Sequence, residues 1–151
     1  MALLISLHLL AAVIWVGGMF YAWMAMRPAV AATVDGAHRG PLWHATLARF
    51  FRWVWASVVI LLGTGYAMVF SVFGGMAAVG MHVHLMQGIG IVMMLLFAHV
   101  YFAPFRRLGH AVAAADTAKA GNQIGQIRRI VGINLLLGLA VVMIASAGRY
   151  L

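Results

Sequence analysis

A chain of 151 residues that is 66% hydrophobic, with ten basic and two acidic residues, lacks the charge to clothe a soluble domain, and its mean hydropathy of +1.04 points to a bilayer. The net charge of +8 does not imply nucleic-acid binding, because the arginines bracket apolar stretches instead of forming a basic surface with stacking aromatics. With no cysteine, disulfides and thiolate metal sites are excluded, and the isolated Asp35 and Asp116 offer no carboxylate pair for acid–base work.

Span one is predicted at Leu3–Met26. It is too long for a signal-peptide core and lacks a basic n-region, so it is read as a retained span. Arg27-Pro28 is predicted to end it, since proline removes a ladder donor and disfavours helix at the residue before it. Gly40-Pro41 is predicted to restart a helix, and Trp43, Trp53 and Trp55 among Arg49 and Arg52 mark an interfacial approach to span two, Trp53–Phe73. Gly74-Gly75 and Gly80 break the next turn. Span three follows at Met81–Ala103, with Pro104 predicted to end it. The Ala-rich stretch 111–120 is predicted as a separate surface helix before Gly121, and span four is Ile130–Ala147. Each span approaches the roughly 20 residues needed to cross a bilayer. The expected fold is all-α, a single four-transmembrane-helix domain over residues 1–151.

Nine of the ten basic residues fall in two stretches, Arg27–Arg52 and Arg106–Arg129, whereas Gly74–Gly80 carries no charge. Positive-inside bias then predicts both basic loops in the cytoplasm, with an N-out/C-out topology. A bacterial inner membrane is the expected location, and Arg106-Arg107 and Arg128-Arg129 are expected against anionic lipid headgroups.

Within so apolar a chain, an ionisable residue in a span is a candidate functional group. His8 lies near the outer end of span one. His84, with His82 beside it, lies near the same end of span three. At 1.5 Å per residue, His99 is roughly 22 Å deeper than His84 and cannot share a site with it; it is read as an interfacial residue. His8, Ala12, Trp15 and Met19 follow helical spacing along one stripe, and His84, Gly88, Ile91 and Leu95 along another. Gly88 is expected to leave room beside an imidazole, as are Gly17-Gly18 and Gly63-Thr64-Gly65. The same glycines would equally serve close helix packing.

The segments LHLLAAVIWVGGMF, RFFRWVWASVVILLGTG, HVHLMQGIGIVMMLLFAHVYFAPFRRL and IRRIVGINLLLGL resemble the small CopD-type (copper resistance D-like) membrane proteins over nearly the whole chain. On that resemblance His8, His84 and His99 match the family's histidine positions, and the family name implies copper handling. A more distant similarity is to the HemJ-type protoporphyrinogen oxidases. These are also four-span proteins with a histidine in the first span, and they carry lysine where this chain has His84. That likeness implies a fold able to hold haem.

Three functions are therefore expected to compete. In the first, His8 and His84 are the axial ligands of a haem b, with Trp15 and Gly88 beside it, in an electron-transfer protein or membrane oxidoreductase. In the second, the imidazoles bind or pass copper, with His82 and His99 as further ligands; thioethers also suit Cu(I), although the methionines of span three do not share one face. The third is a structural subunit whose histidines only hydrogen-bond. The expected partners are the lipid bilayer, a redox partner or a copper-binding periplasmic protein, and a second copy of the chain.

Overall fold

The computed structural model describes residues 1–148 and is helical throughout, in four long elements: α1 (Ala2–Thr33), α2 (Gly36–Ser71), α3 (Met81–Ala113) and α4 (Thr117–Ala147). Each is long and apolar enough to cross a membrane. Arg149, the one basic residue outside the two loops, lies beyond the described residues, as does the C-terminus.

Successive helices run antiparallel. One end of the bundle, poor in charge, carries the N-terminus and the 72–80 turn. The opposite, basic end carries the short turns at 34–35 and 114–116. Gly74 and Gly75 (φ 80° and 119°) provide the left-handed backbone of the 72–80 turn, as their residue type favours. At the basic end Asp35 and Asp116 cap the helices that follow, accepting from the backbone N–H groups of His38 (3.1 Å) and Lys119 (2.9 Å).

Neither Pro28 nor Pro104 stops its helix, contrary to the reading of the sequence. A π-helical stretch, Ala22–Met26, leads directly into Arg27–Thr33, and Tyr101–Phe105, which contains Pro104, leads into Arg106–Ala113. A π turn sets hydrogen bonds one residue further back, so the i−4 bond that proline cannot donate is not required and the helix continues. Helix α2 likewise starts at Gly36, ahead of Pro41. The predicted surface helix over 111–120 is instead a break: Ala115 has positive φ (53°), and α4 begins at Thr117 and continues through Gly121.

Lipid supplies little hydrophobic drive between helices, so association rests on close packing. Gly132 lies under the Trp23 indole, and Gly138 between Val16 and Met93. The bundle centre is filled by aromatic rings: Phe97 lies 5.4 Å from Phe51, 5.0 Å from Trp55 and 6.0 Å from Trp15, all edge-on. This layer joins α1, α2 and α3 midway between the two ends.

Candidate metal site at the charge-poor end

His8 is half-buried on α1, facing α2. Its Nδ1 lies 2.8 Å from Thr64 Oγ1, and that hydroxyl lies 2.6 Å from the Ile60 carbonyl. A hydroxyl has one hydrogen, and the carbonyl takes it. Thr64 therefore accepts from His8 Nδ1–H, and the neutral ring keeps an unprotonated Nε2. A ring nitrogen oriented in this way by a bond at the other nitrogen is the usual arrangement of a metal-binding imidazole. Gly65 lines the ring edge; a Cβ there would stand 3.5 Å from His8 Cε1.

The stripe read on span one holds, with Trp15 and Met19 buried at 3% and 2% exposure. The stripe read on span three does not. His84, Gly88, Ile91 and Leu95 are all exposed on the outside of the bundle, and a Cβ on Gly88 would meet nothing within 4 Å. The inward face is headed by His82 and continues through Met86 and Ile89 to the buried Met93 and Phe97. Apolar residues occupy both faces of this helix, which is why periodicity did not separate them. The His82 ring folds over Gly80, and its Cβ packs on Gly148 at the end of α4.

The expected depth relation survives the change of face. Val16 and Met93 both touch Gly138. Counted from there at 1.5 Å per residue, His8 stands about 12 Å, His84 about 14 Å and His82 about 17 Å toward the charge-poor end. Trp15 is about 10 Å below His8 by the same count, inside the aromatic layer and not beside the imidazole. His99 is exposed in the basic half.

One polar group in the spans, Gln87, went unread in the sequence. Gln87 Nε2 donates to Tyr66 Oη at 2.9 Å, tying α3 to α2 near the same end; a glutamine inside an apolar run was the available signal. Asn134 is 3% exposed and its Oδ1 has no protein partner among the described residues. It faces a void of about 10 Å³ among Trp15, Met19, Phe51 and Phe97, room for about one water molecule. A porphyrin does not fit there. Among the described residues no three His, Asp or Glu side chains gather in one place, so a metal at the charge-poor end would rely on one or two imidazoles with softer or weaker donors.

No curated protein and no solved structure matches the chain significantly. The family model for copper resistance protein D matches residues 44–147, which include Thr64, His82, His84 and His99 but not His8. With more than half its length inside that match, this multi-pass membrane protein belongs to the copper resistance protein D (CopD) family.

Proposed function

We propose that the protein binds copper at its charge-poor end as part of copper handling, with His8 Nε2 as the anchoring ligand and His82 as the second imidazole. The observation that carries this reading is the Thr64 hydroxyl, which leaves His8 Nε2 free to bind a metal. Met86, one turn from His82 on the inward face of α3, adds a thioether of the kind that suits Cu(I). Positive-inside bias puts this end on the periplasmic side of a bacterial inner membrane, where a soluble copper-binding protein is the fitting donor or acceptor.

The haem b reading needs opposed imidazoles at His8 and His84. The outward face of His84 and the filled centre of the bundle give it no support, and with it goes the reading as a haem oxidoreductase. Copper titration of the purified protein, followed by metal analysis and an optical spectrum, tests the proposal. His8→Ala and His82→Ala should each lower bound copper, whereas His84→Ala and His99→Ala should retain it. Iron with a Soret band, lost on His84→Ala, would overturn it.

A further inference from the structure

At the basic end, far from the histidine pair, an open cleft of about 400 Å³ lies between the last turns of α3 and the start of α4, lined by Arg107, His110, Asp116, Lys119 and Gln123. One pair of its charges is spent, Asp116 with Lys119. Asp116 is held by the Lys119 backbone N–H and by Lys119 Nζ at 3.0 Å, whereas Arg107 has no carboxylate partner among the described residues. The side-chain amide oxygen of Gln123 is buried with no hydrogen-bond partner among the described residues. An orphaned buried acceptor is costly, and a ligand carrying a donor relieves it. Asp116 already caps the Lys119 amide at the start of α4.

Depth identifies the source of the ligand. Arg107 lies four residues beyond Ala103, and Gln123 seven residues before Ile130, so the cleft opens roughly 6 to 10 Å beyond the apolar stretches at the helical rise. The headgroup region occupies about 5–7 Å on each side of the hydrocarbon core, so Arg107 sits within it and Gln123 just beyond its outer edge. An anionic phosphodiester at that level would find the Arg107 guanidinium unpaired beside a Lys119 shared with Asp116, and a headgroup hydroxyl would reach the Gln123 amide oxygen on rotation of that side chain. We propose that this cleft binds a phosphate-bearing lipid headgroup that carries free hydroxyls, of the phosphatidylglycerol type.

The test uses the full chain in detergent, with lipid binding followed by native mass spectrometry. Phosphatidylglycerol should bind about tenfold more tightly than phosphatidylcholine, and more tightly than phosphatidic acid, whose phosphomonoester carries at least the same charge but no glycerol headgroup. Arg107→Gln should weaken phosphatidylglycerol binding roughly fivefold, in line with the contribution of one basic residue near a membrane surface. Gln123→Leu should erase the preference over phosphatidic acid; should that variant fail to fold, Gln123→Glu serves, and it should repel both anionic lipids. Arg128→Gln, an exposed change further along α4, should leave binding unaltered. An equal loss on Arg128→Gln would reduce the effect to diffuse surface charge and overturn the site. Displacement of the lipid by millimolar glycerol phosphate would assign the cleft to a soluble phosphate and overturn the lipid assignment.

Discussion

Thr64→Val isolates the inference on which the copper reading rests. Valine keeps the shape of threonine and replaces only the hydroxyl, so the hydrogen bond from His8 Nδ1 at 2.8 Å is lost while α1 and α2 still meet. The Ile60 carbonyl keeps its place in the helical ladder, so the cost to the fold is one interhelical bond. Such bonds in membranes average about 0.6 kcal/mol and reach about 1.7. Copper affinity should fall much further. Removing the partner that orients a metal-binding imidazole costs about 10- to 100-fold, or about 1.4 to 2.7 kcal/mol. Thr64→Ser retains the hydroxyl and should stay within about threefold of wild type, since the orienting acceptor survives. Competition for Cu(I) against a chromophoric chelator, run beside a thermal unfolding measurement on the same samples, separates the two effects. If Thr64→Val folds and binds copper as wild type does while His8→Ala loses it, the hydroxyl does not set the imidazole and the reasoning fails.

Three further outcomes are expected. Gly138→Ala places a Cβ 2.9 Å from Val16 and 3.1 Å from Met93 and should destabilise the bundle by about 1–3 kcal/mol, whereas Gly88→Ala, on the open face, should be neutral or stabilising by up to about 1 kcal/mol; equal thermal shifts would contradict the packing. Reporter fusions after Val34 and after Gly74 should report opposite sides of the membrane, the first cytoplasmic, and agreement between them would break the four-span topology. The hydrogen bonds from His38 to Asp35, side chain first and backbone N–H second, hold that carboxyl below its ordinary value, and the Lys119 backbone N–H and then its side chain do the same for Asp116. A depressed folded-state value contributes stability that is present above the unfolded value of about 3.9 and lost as pH falls through the folded one. Amide exchange at His38 and Lys119 should therefore be unaffected by protonation of these caps from pH 7 down to about 5, and cap protection should fail only below about 4; loss already at pH 5–6 would remove the caps from the account.

The four helices were legible because length and hydropathy alone define a bilayer span, and the Gly74-Gly75 turn was legible because those residues suit positive φ. Helix ends were less so. Pro28 and Pro104 read as stops, since the sequence carries no sign that a π turn will absorb them, and Asp116-Thr117 was a cap signal overlooked in favour of the alanines around it. The candidate site was half legible. His8 stood out as an ionisable residue in an apolar run, and its stripe down to Trp15 and Met19 matched the packed face. On α3 nearly every residue is apolar, so the choice between His82 and His84 could not be made by periodicity. The packing of α3 on α4, where Met93 meets Gly138 and His82 meets Gly148, turns His82 inward and His84 outward.

The same packing limits what a copper ion held at His8 could do. Between that imidazole and the basic end lies the layer of Trp15, Phe51, Trp55 and Phe97, edge-on and with centroid separations of 5.0–6.0 Å. The polar atom at the void in this layer is the Asn134 carbonyl oxygen, beside room for about one water. An ion leaving two imidazoles and a thioether would find one weak donor and then a wall of rings, and shedding its ligands in such surroundings is costly. In this conformation a copper ion bound at His8 as proposed would reach and leave it from the charge-poor side. Binding and hand-off on one face of the membrane therefore fit the fold better than passage across it. Passage would require the α1–α2 and α3–α4 pairs to part along the aromatic layer, and Phe97→Ala, which thins that layer without touching a proposed ligand, is the change that should first make the bundle leak copper in a vesicle flux assay. If flux through the wild-type protein already equals that of the variant, the aromatic layer is no barrier and one-sided hand-off is wrong.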